Sequence, residues 1–347
     1  MHLVANNHRG QSKLAANAPY PSVDAGRVAT LLKQCPKAAP TPLVDASELT
    51  GSSTLWVKDE RPRMGLGSFK ALGAAYVIAR QAAEASSDPD ATTLNGRTYV
   101  TASAGNHGLS LAAGARVFGA KAVVYIAETV PESFATRLRG IGADAVRAGS
   151  DYAASMQAAQ DAAAKNGWTL LSDSSWAEYT DLPYILMEGY LQMAAEAVEQ
   201  CPEVPTHIFL QAGVGGLAGA VAAYARKAWG DAPQIIVVEP EAAPALQASI
   251  VAGKCVFADG PDSIMGRLDC KEPSLIALNG LARDADQFLT LSDEEVKGFL
   301  PAMAKAGLET TASGGAGIAA ALRTDVREAL GIGNAAKVLC FLSEVSD

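Results

Sequence analysis

His207-Ile208-Phe209-Leu210 runs through Gln211-Ala212 into Gly213-Val214-Gly215-Gly216-Leu217-Ala218-Gly219, and an apolar stretch continues to Trp229. A short apolar run, a glycine loop and a longer alanine-rich run predict a strand, a tight turn and a helix from Leu217 to Trp229. Glycines in that turn leave backbone N–H groups bare. The helix N-terminus adds a field that favours an anion, so a phosphate is the natural ligand. The spacing also satisfies Gly-x-Gly-x-x-Ala, a dinucleotide fingerprint, with Glu239 at the end of the next strand, where a ribose-binding acid would sit. A turn that needs glycine only for packing is the third reading.

The same alternation continues on both sides. Leu55–Lys58, Thr98–Thr101, Ala122–Ile126, Trp168–Leu171, Ile235–Val238 and Val338–Leu342 read as strands. Alanine-rich helical runs separate them, among them 184–198, 294–306 and 316–330, and Pro131 suits the first turn of another. Ser86–Asn95 reads as a linker. This pattern belongs to an α/β chain with open, mostly parallel sheets flanked by helices, and such sheets bind ligands beyond the carboxyl ends of their strands.

Two further loops sit at such ends. Gly65-Leu66-Gly67-Ser68-Phe69-Lys70-Ala71-Leu72-Gly73 places a lysine among small residues, at the start of an apolar stretch, 71–79, that reads as a buried helix. Desolvation there disfavours the ammonium form, which would make Lys70 a neutral amine able to condense with an aldehyde. A surface lysine at a helix start is the alternative. Ser103-Ala104-Gly105-Asn106-His107-Gly108 again permits close backbone approach, with Ser103 and Asn106 offering polar side chains. His107 is either a general base or a packed, hydrogen-bonded residue.

With 347 residues, 49% hydrophobic and 19% charged, the chain is long enough for about two domains and a large core. A formal charge of −9 argues against nucleic acid as a partner. Five dispersed cysteines without a Cys-x-x-Cys pair fit a reduced, cytoplasmic protein. Four histidines without ligand spacing predict no metal site. Residues 1–20 lack a sustained apolar core, so neither a signal peptide nor a membrane span is expected there. They read as an extended arm, mobile or draped over the body or a partner.

Taken together and in order, Ser-Phe-Lys-Ala-Leu-Gly around Lys70, Ser-Ala-Gly-Asn-His-Gly from Ser103 and Gln-Ala-Gly-Val-Gly-Gly-Leu-Ala-Gly from Gln211 resemble the fold type II pyridoxal-phosphate enzymes. These are the relatives of the tryptophan synthase β-chain and threonine dehydratase. More narrowly, Asp173-Ser174-Ser175-Trp176-Ala177-Glu178-Tyr179-Thr180, Val238-Glu239-Pro240 and Ile264-Met265-Gly266 look like segments of diaminopropionate ammonia-lyases. The resemblance runs from about Lys58 to the C-terminus. It implies that Lys70 binds pyridoxal 5′-phosphate covalently and that Gly213, Val214, Gly215, Gly216 and Leu217 hold its phosphate. Asn106 would bond its 3′-oxygen, and Ser343 would face the pyridine nitrogen. The loop Ser103, Ala104, Gly105, Asn106 and His107 would receive the substrate carboxylate.

The chain departs from that family at two places. Members acting on both enantiomers carry an aspartate before Gly-Asn-His and another before the Ser/Thr-x-Trp segment; here the first position is Ala104 and only Asp173 remains. The family's Ser-Thr-Glu-Gly tail is Leu342-Ser343-Glu344-Val345. The resemblance therefore implies α,β-elimination from a small L-amino acid, 2,3-diaminopropionate first, giving pyruvate and ammonia through an aminoacrylate. Asp173 would be the base. Serine/threonine dehydration and a nicotinamide-dependent oxidoreductase are the alternatives. The expected organisation is an arm (1–20), a large cofactor domain (21–91 and 181–347) and a smaller domain (92–180), assembled as a homodimer.

Overall fold

The computed structural model describes residues 2–11 and 13–346. In chain order its strands are β1 (His2–Ala5), β2 (Leu43–Asp45), β3 (Thr54–Asp59), β4 (Thr98–Ala102), β5 (Lys121–Ile126), β6 (Asp144–Arg147), β7 (Thr169–Leu170), β8 (His207–Gln211), β9 (Gln234–Pro240), β10 (Gln287–Leu291) and β11 (Lys337–Leu342). A seven-stranded sheet has the order β1-β10-β9-β8-β11-β3-β2, and a four-stranded sheet the order β6-β5-β4-β7. The smaller sheet is wholly parallel, while the larger is parallel from β10 to β3 with antiparallel edges, β1 and β2. This is the expected class: mostly parallel sheets flanked by helices.

Parallel strands covered by helices on both faces are apolar throughout, and Ile235–Val238 in β9 is buried at every position. Small residues let the helices pack closely. The helix Gly216–Trp229 buries Leu217, Ala218, Ala220, Val221, Ala222 and Ala225 in the larger core.

Residues 2–6 of the expected arm are draped over the body: β1 pairs with β10, and the Asn6 amide donates to the carbonyls of Leu281, Ala282 and Ala285 at the end of the helix Leu275–Asp284. Those orphan carbonyls hold the segment to the body. Three other segments differ from the expectation. Lys70 does not open a long helix but sits in a 3₁₀ turn, Phe69–Leu72, followed at Gly73 by the helix Ala74–Ala85. A side chain at Gly73 would stand 2.9 Å from the Tyr190 hydroxyl, so the chain can turn there only because the residue is glycine. The expected helix 184–198 is two helices, Asp181–Gly189 and Leu191–Gln200, and the run 316–330 is likewise divided into Ala312–Leu322 and Thr324–Ala329.

Candidate active site

The loops after β3, β4, β7, β8 and β11 all leave from the carboxyl ends of their strands, and side chains from them meet. Lys70 Nζ donates to Asp173 Oδ2 at 2.6 Å across 103 residues of sequence. Both side chains are about one-fifth exposed (21% and 19%), so the pair faces a cleft rather than the core. Burial works to lower the Lys70 amine, but the charge of Asp173, its hydrogen bond and the neighbouring Tyr190 together outweigh it and hold the amine well above the usual lysine range. Burial likewise works to raise Asp173, while the Lys70 ammonium beside it, by its charge and its hydrogen bond, holds it well below the usual carboxylate range. The expectation of a neutral Lys70 is thus corrected: desolvation acts as supposed, but a neighbouring carboxylate reverses the sign.

Tyr190, invisible as a site residue in the sequence, lies beside this pair. Its ring is 4.9 Å from that of Phe69, and Lys70 Nζ is 5.8 Å from its centroid. The hydroxyl is buried with no hydrogen-bond partner among the described residues. Burial, first of all, pushes the phenol up to about 12. A methyl on Gly216 would stand 3.3 Å from the other edge of the same ring, so the glycine loop and Lys70 flank Tyr190 from two sides.

Within that loop, Gly215 has φ +96°, a conformation open to glycine. The N–H groups of Gly215, Gly216 and Leu217 donate to no acceptor among the described residues. Gly213 packs under Cys270, whose thiol burial pushes up to about 12 and which feels the charges of both Asp173 and Lys70. Tyr152, at the start of the helix Tyr152–Asn166, also feels Asp173 and Cys270. Cys270 stands in a polar loop and Tyr152 at a helix start, and no local motif marks either of them.

The second loop behaves differently from a row of free ligands. Ser103 Oγ accepts from the N–H groups of Gly105 (3.2 Å) and Gly108 (3.0 Å), so its hydroxyl shapes the turn. Ala104 is exposed, Gly105 is extended, and Asn106 begins the helix Asn106–Val117. His107 is buried, with Nε2 2.8 Å from the Leu171 carbonyl. Burial pulls its pKa down, so it is a neutral packed residue that ties this helix to the segment carrying Asp173. Asn106 Nδ2 donates to Glu344 Oε2 at 2.6 Å. Ser343 is buried at the end of β11, its carbonyl accepting from the Phe69 N–H (3.1 Å).

Glu239 ends the dinucleotide reading. It is wholly buried, and its two oxygens accept from the N–H groups of Leu246 (2.7 Å) and Gln247 (2.8 Å). It therefore caps the helix Ala245–Ala252 and presents no exposed surface to a ribose. A lysine in a cleft, three bare N–H groups at a helix N-terminus and an unpartnered buried hydroxyl between them do fit a phosphate-bearing aldehyde. Lys70 would hold its carbon end and the Gly213–Leu217 loop its phosphate.

The comparisons with known proteins agree. A family model described as pyridoxal-phosphate dependent enzyme matches residues 35–344. The chain is 34% identical over 286 residues to a diaminopropionate ammonia-lyase of Salmonella typhimurium, covering 75% of this chain and 70% of that one. Its structure is similar to Escherichia coli diaminopropionate ammonia-lyase in complex with an aminoacrylate-PLP azomethine reaction intermediate (TM-score 0.87, 27% identity, 99% of this chain and 93% of that chain). Threonine deaminase isoform 2 of Solanum lycopersicum, at 19% identity, shares the fold (TM-score 0.80; 98% and 94% covered). With the Lys70 cleft, the bare glycine loop and these matches together, the chain belongs to the family of pyridoxal-phosphate-dependent enzymes, and pyridoxal phosphate is its cofactor.

Proposed function

We propose that this chain is an ammonia-lyase acting on a small L-amino acid, 2,3-diaminopropionate first, and releasing pyruvate and ammonia. The observation that carries the proposal is the 2.6 Å contact of Lys70 with Asp173 beside the bare glycine loop. Bound pyridoxal phosphate supplies an aldehyde for the substrate's amino group and a ring that takes up the electrons of the broken Cα–H bond. In this reading Lys70 and the loop Gly213–Leu217 hold the cofactor, with Asn106 and Ser343 on the ring. The backbone of 103–107 takes the substrate carboxylate.

Asp173 removes the α-proton. Paired with an ammonium it is a poor base, but a Lys70 freed by the substrate's amino group as a neutral amine would not present that charge, and the carboxylate would regain basicity. That amine, 2.6 Å from Asp173, could then take the α-proton from the carboxylic acid and hand it to the leaving nitrogen. Residues 92–180 form the smaller domain in this reading, and they bring both Asp173 and the carboxylate loop to a cofactor held by the larger part. The exposed methyl of Ala104 offers no second base. Among the described residues no helix is long and apolar enough to cross a membrane. We read the protein as a cytoplasmic homodimer, a state supported by its free cysteines and by the frequency of two-fold assemblies.

A screen of small amino acids in both enantiomers, read by pyruvate and ammonia release, tests the proposal. L-2,3-diaminopropionate is expected to be the best substrate and its D-enantiomer a poor one. Equal rates on the two enantiomers would refute the single-base reading, and release from serine or threonine alone would assign the dehydratase reaction instead.

A further inference from the structure

Glu344 is a buried carboxylate at the edge of this cleft, on a tail that sequence reading singled out only for its missing glycine. It is 4% exposed. Three side chains from different parts of the chain converge on it: Asn106 Nδ2 at 2.6 Å on Oε2, Arg267 NH1 at 3.0 Å on Oε1, and the Thr311 hydroxyl, also on Oε1. Its backbone is held as well, since the Thr310 hydroxyl donates to its carbonyl at 2.6 Å and Ser68 bridges to it. So much fixing of one side chain exceeds what a strand end requires.

The consequence falls on Asn106. A carboxylate only accepts hydrogen bonds, so an amide 2.6 Å away must present its NH₂ group and not its oxygen. Glu344 thereby decides which way the Asn106 amide is turned. One N–H is committed to Glu344, and the second has no acceptor among the described residues. Asn106 comes from the loop after β4 in the smaller sheet, whereas Glu344 follows β11 in the larger one. The bond therefore also crosses between the two sheets.

We propose that Glu344 is a positioning residue that turns and holds the Asn106 amide so that its remaining N–H faces the ring oxygen of the cofactor, with Arg267 and Thr311 holding Glu344 in turn. This rests on the reading that Asn106 bonds that oxygen. Without Glu344 the amide is free to flip its own oxygen toward the anionic ring oxygen, and Arg267 keeps a charge with one carboxylate fewer to balance it.

The test is a cycle of Glu344→Gln, Asn106→Ala and the double variant, each titrated with pyridoxal phosphate. The readouts are the dissociation constant and the ratio of the cofactor's long- to short-wavelength absorption bands. Each single variant is expected to weaken cofactor binding about tenfold, the scale of one charge-assisted hydrogen bond, and to change the band ratio. The double variant should be no worse than Asn106→Ala, since residues acting through one contact are not additive. Additive losses would overturn the proposal, because Glu344 would then act on the fold and not through Asn106. A shift in Asn106→Ala with none in Glu344→Gln would overturn it while leaving the Asn106 reading intact. No shift in Asn106→Ala would overturn that reading, and the proposal with it. Should Glu344→Gln not fold, Glu344→Asp, which keeps the charge and shortens the reach, carries the same cycle with the same expectations.

Discussion

Two lysine–carboxylate pairs in this chain have nearly the same length and opposite characters. Lys58 Nζ lies 2.7 Å from Glu196 Oε2, and Lys70 Nζ lies 2.6 Å from Asp173 Oδ2. Lys58 is fully buried and spends its donors on Glu196, the Thr41 carbonyl (2.6 Å) and Gln200 (2.9 Å). Arg63 adds two bonds to the same Glu196, and Glu60 binds Arg63 from the other side. This network joins the loop at Thr41, β3 and the helix Leu191–Gln200 into one satisfied unit. Lys70 has one side-chain hydrogen bond and a cleft beside it. Burial lowers Lys58 despite its partner, whereas Asp173 lifts Lys70 above its usual range. A saturated ammonium is structural; one with donors to spare can change partner.

The comparison breaks most sharply at Lys70. Lys70→Ala should lower turnover by about 10³-fold or more and abolish the covalently held cofactor band, while circular dichroism and the thermal midpoint stay near wild type. Glu196→Gln should do the reverse. Removing one partner of a buried pair costs about 3–5 kcal/mol, read by denaturant unfolding, with turnover per folded molecule unchanged. Equal stability losses at the two pairs would erase the distinction.

Asp173→Asn comes next, with an expected fall of about 10²-fold in kcat on an L-amino acid and the cofactor still bound. Near wild-type turnover would remove Asp173 from the role of base. The smallest effect is on pH. Burial pushes Glu196 up, but the bonds from Arg63 and Lys58 hold it at about 2, below the ordinary 4.5. A depressed carboxylate contributes stability that is present above 4.5 and lost as pH falls through about 2. The thermal midpoint should therefore decline over that interval, and less steeply in Glu196→Gln.

Much of this architecture was legible because it is encoded over short distances. The strand–glycine–helix unit around Gly213 follows from periodicity and from the backbone freedom that Gly215 needs. The class of sheet followed from the alternation of apolar runs. The Lys70 segment is legible as a candidate site but not as a conformation, since the bend at Gly73 answers to Tyr190, a residue more than a hundred positions away. Glu239 shows the converse: its place at a strand end suggests a ribose ligand, yet the chain folds the next helix onto it and buries it wholly. Tyr190, Cys270 and Glu344 carry no local motif. Their importance comes from what approaches them.

Residue types and spacing alone determined the chain's sheet class, its glycine turn at a helix N-terminus and the placing of a lysine among small residues after a strand, because each is a local demand on backbone space or periodicity. Only the tertiary structure decided the charge of that lysine, the partner of Asn106 and the neutrality of His107. Those depend on which loops meet at the carboxyl ends of two sheets, and electrostatic energies are set by distances in space rather than by separation along the chain.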